Sequence, residues 1–441
     1  MSQIALPLDA SPEALSPTLN SPTGELSPQR DLSALRDAAP VLRERVPGVA
    51  LPTGFEAEGF RIGWEHARYL TTPPADHLHA GHPVRQGWEA GRVAFAGRTL
   101  AATRAARLWL ALRLQAWLRG RDFEEFMVTP RYVAQMDVRV CPVTQVALTC
   151  SSAGHDSASD AVLMPLCERA ACAAGNLAVV SSLAAQARAA LGPQDMADVL
   201  RRLAAGEAES VAGLDLAAWR RLQALTSLAT PLSHAQAAAQ PLHVLPPPRV
   251  HLLNPVQALQ TLLTLVFTAP GYARQLTGLG TLMPHAQARR AYYLFMNAML
   301  ARRLSARGAA PREQLRKTME QAWSHPLVQQ RWLALALTLT PAQADRVARL
   351  AIQRGGVGSE GTAWRWMDNA AATQGWGLDV THEGFDAASL VAVSQAASAP
   401  GSGPARARRP HHSASGAGPR GGVGRPTAPH SPARRHARGS A

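Results

Sequence analysis

The chain has 441 residues, of which 46% are hydrophobic, enough to bury one large core or two moderate ones. Its formal net charge is +14, but residues 397–441 contribute eight arginines and no acid, which leaves about +6 for the rest. Four cysteines in a chain of this length exclude a disulfide scaffold. No secretory leader is visible, and the longest apolar stretch, 262–270, is about half of the ~20 residues that span a bilayer. We therefore expect a cytoplasmic protein with reduced thiols that does not enter a membrane. The preference for arginine over lysine is typical of a GC-rich bacterial genome.

The N-terminal third begins with a leader, 1–48, that repeats Ser-Pro and has few apolar residues, so we expect it to be disordered. An aromatic-rich segment with a long helix follows at 49–138. Glycine, proline and large aromatic residues alternate over 51–98, which predicts an ordered but irregular segment. Over 99–120, apolar residues recur at spacings of three and four, which predicts an amphipathic helix.

After residue 192 the sequence is strongly helical, and we expect a helical C-terminal domain over 193–396. The predicted helices are 195–205, 214–230, 255–268, 285–304, 311–325, 329–340 and 342–354. The composition of 397–441 (Gly, Pro, Ala, Arg, Ser and His) cannot bury a core and predicts a disordered basic tail. The expected fold class is mainly α, a helical bundle with a small ββα module at 139–192, inserted after the first long helix.

Two groups of residues suit metal ions by type. The first is Asp76, His77, His79 and His82, which would have to converge on one point. The second is the set of four cysteines, with 8, 16 and 4 intervening residues. A structural zinc site needs two to four intervening residues in both halves, so buried free thiols are the default expectation for the cysteines.

Residues 139–190 combine short β-type runs with dense turn chemistry. Cys141-Pro142-Val143-Thr144 is followed by Leu148-Thr149, then Ser159-Asp160, then Gly175-Asn176-Leu177 with Ser181, and a helix is predicted from about Ser181. This order resembles the ββα-metal core of divergent HNH nucleases. The resemblance covers some fifty residues. An ordinary strand-to-helix junction capped by Ser181 or Ser182 would also explain the last part of it.

The resemblance implies a site. Asp160 and His155 would be catalytic, Asp160 and Asp156 would bind one divalent metal ion (Mg²⁺ or Zn²⁺), and Asn176, Arg188 and Arg139 would contact nucleic acid. An intact site would make the protein a metal-dependent endonuclease. The sequence departs from the family pattern, however, because Ala158, Ala161, Ala185 and Gln145 replace the expected serine, arginine, asparagine and glycine, and Cys172 replaces a tyrosine.

Two hypotheses follow from the departures. The first is a nucleic-acid-binding protein with a degenerate HNH-like module and weak or no nuclease activity, to which the basic tail adds salt-dependent affinity. The second is a helical scaffold or regulatory protein without catalytic activity. A buried Asp160 with backbone donors would favour the second, and an open Asp160 in a positive groove would favour the first. The sequence leaves the oligomeric state open.

Overall fold

The structure is a computed structural model, and it describes residues 54–150, 157–188, 191, 193–305, 311–354 and 373–377. The predicted disordered leader and tail lie outside these residues. The chain forms two compact units. Among described residues, unit 1 comprises those up to Leu225 together with 246–251 and 373–377, and unit 2 comprises 226–245, 252–305 and 311–354. No described helix is both long enough and apolar enough to cross a bilayer.

Unit 1 begins with two helices in close contact, α1 (Phe55–Arg68) and α2 (Pro83–Phe95). Glycines make the contact possible. A Cβ atom on Gly63 would lie 1.9 Å from the Val84 carbonyl oxygen, and one on Gly87 would lie 1.9 Å from the Phe60 carbonyl oxygen. The prediction of an irregular segment over 51–98 is therefore wrong for these two stretches, because the glycines serve helix contact and not turns.

The next helix, α3 (Arg104–Leu118), confirms the helix predicted over 99–120 and is followed by α4 (Pro130–Met136). Leu114 and Trp117 of α3 form a buried cluster with Ile62 and Val84 of the first two helices. Arg113, on the same helix, is only 7% exposed in its side chain and pairs with Glu58 at 2.8 Å and Glu125 at 2.5 Å. Two carboxylates therefore neutralise the buried guanidinium group of Arg113.

The small sheet consists of two antiparallel strands, β1 (Ala161–Pro165) and β2 (Leu177–Ser181), paired so that Ala161 faces Ser181 and Pro165 faces Leu177. Nine of their ten residues are buried. The short helix α5 (Ser182–Arg188) follows β2 directly. Unit 1 continues with α6 (Pro193–Ala204) and most of α7 (Leu216–Leu228).

Unit 2 is helical throughout its described residues. Its helices after α7 are α8 (His234–Ala238), α9 (Pro255–Thr268), α10 (Tyr272–Gly280), α11 (Ala286–Ser305), α12 (Arg312–Ala322), α13 (Pro326–Ala336) and α14 (Pro341–Gln353). Helix α9 is central, since every residue from Val256 to Thr268 is buried. Phe295, Trp323 and Trp332 are fully buried and their ring centroids lie 5.4–5.6 Å apart. Such aromatic contacts add to the stabilisation by area burial.

The structure confirms a mainly α protein with a small two-stranded antiparallel sheet after the first long helix. The helix predicted over 255–268 has the same bounds, and five others begin and end within a few residues of the prediction. For the seventh, predicted over 329–340, α13 lies three to four residues earlier because Pro326 occupies its first turn. Helices α4 and α10 were not expected.

Candidate functional site

The region 139–188 begins with a tight turn. The Val146 carbonyl accepts a hydrogen bond from the Cys141 N–H at 2.8 Å, and the Cys141 carbonyl accepts one from Gln145 at 3.0 Å. Gln145 has a φ of 61°, a left-handed conformation that glycine adopts more easily. The HNH-like pattern that the sequence resembles has glycine at this position, which agrees with the left-handed conformation found here.

This turn is tied to the junction of β2 and α5 by Cys141, Thr144 and Ser181. The Cys141 sulfur accepts hydrogen bonds from the backbone N–H groups of Ser181 at 3.2 Å and Thr144 at 3.4 Å. The Thr144 and Ser181 hydroxyl oxygens lie 3.3 Å apart, and the Cys141 thiol lies 3.4 Å from the Ser181 hydroxyl. We call these three residues the turn–helix cluster. It connects the first and last parts of the module through hydrogen bonds.

The thiol of the cluster has an altered acidity. Burial alone would raise the pKa of Cys141, but hydrogen bonds from the side chains and N–H groups of Ser181 and Thr144 outweigh it and lower the pKa below its usual value. All four cysteines are free thiols, and Cys141, Cys167 and Cys172 are buried as expected, whereas Cys150 is exposed. The Cys141 sulfur therefore acts here as a hydrogen-bond acceptor that holds two backbone donors.

Asp160 lies just before β1 and is 1% exposed. Its carboxylate accepts hydrogen bonds from the Thr149 hydroxyl at 2.6 Å and the Ser157 N–H at 3.2 Å. Its carbonyl oxygen accepts one from the Ser182 N–H at 2.7 Å, at the start of α5. The residue expected to be catalytic and to bind metal thus links the preceding loop to the helix.

Asn176 and Arg188 also lie inside the module. The Asn176 amide accepts a hydrogen bond from the Cys167 N–H at 2.7 Å and donates to the carbonyls of Cys167 at 3.0 Å and Ala171 at 2.9 Å. Arg188 donates to the Pro165 and Leu166 carbonyls at 3.0 and 2.8 Å and pairs with Glu168 at 2.7 Å. Burial lowers the pKa of Arg188 and Glu168 opposes that effect. Both side chains hold the loop between the strands, and neither faces solvent.

Arg139 differs from the other two predicted nucleic-acid contacts, since it is exposed and has no side-chain partner among described residues. His155 and Asp156 lie outside the described residues. The structure therefore brings Asp160, Asn176 and Arg188 into one module, in buried supporting positions, and leaves Arg139 at its surface.

The described residues of the module do not fit a metal ion. Both carboxylate oxygens of Asp160 accept hydrogen bonds, and the helix position where the family has asparagine is Ala185. In the described part of the chain, no three His, Cys, Asp or Glu residues lie close enough to bind a metal ion, and this covers Asp76, His77, His79 and His82. His82 instead caps α2 by accepting a hydrogen bond from the Val84 N–H. The divalent metal expected from the resemblance stays a prediction.

Charge is distributed unevenly between the two units, which the sequence analysis missed. The described residues of unit 1 contain 19 Lys or Arg and 16 Asp or Glu, whereas those of unit 2 contain 12 and 3. No acid occurs between Asp215 and Glu313, a stretch with ten arginines. Counting charges by segment would have found this signal. A single net charge for all residues before 397 conceals the difference between the two units.

Comparison of the chain with protein-family models, with curated proteins and with solved structures found no match.

Proposed function

We propose that the protein binds nucleic acid through the positive surface of unit 2 and does not cleave the strand that it binds. The observation that carries the proposal is the shortage of carboxylates in that unit. Its three acids, Glu313, Glu320 and Asp345, form ion pairs with Lys317, Arg316 and Arg349.

The other nine cationic side chains of unit 2 have no carboxylate partner among described residues. Six of the nine residues are exposed and three are partly buried. They are Arg274, Arg289, Arg290, Arg302, Arg303, Arg312, Arg331, Arg346 and Arg354. Arg303 has local support, since it donates to the Phe267 carbonyl at 2.7 Å and lies over the Tyr272 ring.

Unpaired arginines on one compact unit produce a positive potential that attracts polyanions. Phosphate groups of nucleic acid would neutralise these arginines and release condensed counterions, which favours association at low salt. A GC-rich genome explains why the cations are arginines, but it does not explain why acids are missing from one unit and frequent in the other. We therefore prefer a nucleic-acid partner to a compositional origin.

The proposed lack of cleavage is supported by the contacts of Asp160, Asn176 and Arg188, the residues at which the HNH resemblance places a site. Asp160 is held by Thr149 and Ser157, Asn176 by the backbone of the loop, and Arg188 by Glu168 and two carbonyls. Groups engaged in this way support the module and leave no described side chain placed to activate water. The module would be a degenerate relative of the HNH core that serves as a folded part of unit 1.

A scaffold or regulatory protein is the second candidate. It is favoured by Asp160, which is buried and accepts a hydrogen bond from the Ser157 backbone N–H, the arrangement that the sequence analysis assigned to this candidate. It assigns no partner, however, to the charge of unit 2. We also propose a cytoplasmic location, since all four thiols are free.

The test is binding of labelled single-stranded and duplex DNA to the full-length protein at about 50 and 200 mM salt. We expect affinity to fall steeply with salt, with a slope reduced by about 1 for each lost phosphate contact. Arg289→Gln/Arg290→Gln should reduce both affinity and slope. Arg98→Gln/Arg131→Gln is the matched control, since both arginines are exposed, lie in unit 1 and lack a described carboxylate partner.

Equal losses in both double variants would contradict the assignment to unit 2. No binding by the wild type would remove the nucleic-acid proposal and favour the scaffold. A parallel plasmid-nicking assay with Mg²⁺, Mn²⁺ or Zn²⁺ is expected to show no cleavage. Metal-dependent nicking that is lost in Asp160→Asn would overturn the non-catalytic part of the proposal.

A further inference from the structure

A small cavity in unit 2 lies between the end of α10 and the helix α14. It has a volume of about 350 Å³, at the lower end of the range for small-ligand sites. Its polar lining comes from Thr281, Gln343 and Arg346, and its apolar lining comes from Leu282, Pro284, Val347 and Leu350. The cavity therefore combines hydrogen-bond donors and a cation with an apolar surface.

Two arginines lie at this cavity without carboxylates. Arg346 lines it directly, and Arg354 donates to the Thr281 hydroxyl oxygen at 3.5 Å. The two are eight residues apart, with Leu350 midway, so they lie along one side of α14. Neither has an ion-pair partner among described residues, whereas Arg349 pairs with Asp345 at 2.8 Å. An anion is the missing counterpart of Arg346 and Arg354.

One neutral side chain of the cavity, that of Gln343, is free to donate, whereas the Thr281 hydroxyl already donates to the Gly278 carbonyl at 2.7 Å. The Gln343 side-chain oxygen accepts a hydrogen bond from the Thr340 N–H at 3.0 Å in the capping box of α14, which directs its NH₂ group away from that contact. The NH₂ group has no described acceptor. A ligand with several acceptor oxygens would satisfy Gln343 and the two guanidinium groups together.

The neighbouring helix adds to the positive potential. Helix α11 begins two residues after Pro284, and its first turn contains no acid. Arg289 and Arg290 lie at this N-terminal end, where the helix dipole is already positive. The N-terminus of a helix stabilises a bound anion in this way. An anion would also reduce the repulsion between Arg289 and Arg290.

We infer that this cavity is a phosphate-binding site, formed by Arg346, Arg354 and Gln343. The inference deepens the proposed function and rests on it for the source of the phosphate, which would be the backbone of a bound strand. A free phosphate or nucleotide would offer the same chemistry, so the experiment separates the two sources.

The experiment compares the full-length wild type with Arg346→Gln/Arg354→Gln and with the control Arg302→Gln/Arg312→Gln. Both pairs remove two positive charges from unit 2, but the control pair does not line the cavity. Each variant is titrated with labelled single-stranded DNA and, separately, with inorganic phosphate and pyrophosphate at constant ionic strength. Thermal unfolding of each variant shows whether it is folded.

We expect the cavity variant to bind DNA about tenfold more weakly than the wild type, because two charge-assisted hydrogen bonds are lost, and the control about twofold more weakly. Equal losses in the two variants would overturn the inference while the proposed function stands. If DNA does not bind but pyrophosphate binds the wild type and not the cavity variant, the proposed function fails and the phosphate site remains. If neither ligand binds, both fail.

Discussion

The two compact units use arginine in different ways. In unit 1, 19 cationic residues are nearly balanced by 16 acids, and even the buried Arg113 and Arg188 pair with Glu58, Glu125 and Glu168. In unit 2, apolar and aromatic contacts form the core, and three acids accompany 12 cations. The contrast teaches that the average composition of a whole chain can hide one unit in which charges are nearly balanced and another in which cations greatly outnumber acids.

The largest expected effect concerns the close approach of α1 and α2 in unit 1. In Gly87→Ala the new Cβ atom would lie 1.9 Å from the Phe60 carbonyl oxygen, so the two helices must separate. We expect a loss of about 3 kcal/mol in the free energy of unfolding, measured by urea denaturation. The matched control in unit 2 is Gly278→Ala in α10, where nothing lies within 4 Å and a gain of up to about 1 kcal/mol is expected. Similar effects in the two variants would contradict the contrast between the units.

The second effect is the pH dependence of unit 1, which contains the buried residue His66. Burial, with a contribution from His77, lowers the pKa of His66 from 6.5 to about 4. Because the unfolded chain binds the proton more tightly, this neutral histidine stabilises the fold fully above pH 6.5, and stability falls as the pH drops from 6.5 towards 4. The loss should reach up to about 3 kcal/mol. Unfolding free energies of wild type and His66→Gln across this range test it, and parallel curves would show that His66 is not responsible.

The third effect separates paired from unpaired arginines. Arg113→Met leaves Glu58 and Glu125 with the exposed Arg61 as their remaining cation. We expect a loss of about 2 kcal/mol, below the range for fully buried pairs because Arg61 stays and both carboxylates reach solvent. Arg312→Met in unit 2 removes an exposed cation with no described partner, and the change should stay within about 0.5 kcal/mol. Chemical denaturation of both variants measures the difference. A large effect at Arg312 would show that unit 2 also uses its arginines for stability.

The smallest effect concerns the turn of the ββα module. Gln145→Gly should stabilise unit 1 by up to about 1 kcal/mol, since glycine adopts the left-handed conformation without strain. The gain is reduced by the lost hydrogen bond from Gln145 to the Pro142 carbonyl. The unfolding temperature, compared with that of Gln145→Ala, which keeps a side chain at this position, is the measurement. A lower unfolding temperature for the glycine variant than for the alanine variant would show that the turn carries no strain.

The helices that were predictable from sequence are those in which the apolar periodicity and a proline in the first turn indicate the same starting residue. Helix α9 is an example, since Pro255 sets its first turn and the apolar run ends at the Ala269-Pro270 pair. Helices α1 and α2 were hidden because Gly59, Gly63, Gly87 and Gly91 resemble turn residues locally. Only the partner helix shows that they are contact positions.

The order of the site residues along the chain was predictable from the sequence, but the burial of their side chains was not. The sequence placed Asn176 before the last strand and Ser181 at the strand-to-helix junction, as observed, and it placed Asp160 in the first strand, whereas Asp160 lies just before β1. Nothing in the local pattern shows that Thr149 and Ser157 would enclose the carboxylate, because both contacts depend on how a loop closes over it. The charge of unit 2 was available in the sequence, but the tail and the balanced unit 1 masked it in the average.

Helix α9 has a consequence for how unit 2 forms. Its polar residues are buried together with its apolar ones, so the helix depends on its neighbours on every side, and an isolated helix of 14 residues is marginal in water. Once they surround it, no single neighbour can leave without exposing apolar surface to water. Unit 2 should therefore assemble and open as one cooperative block, and the slowest amide hydrogen exchange should lie in its middle, along Val256–Phe267.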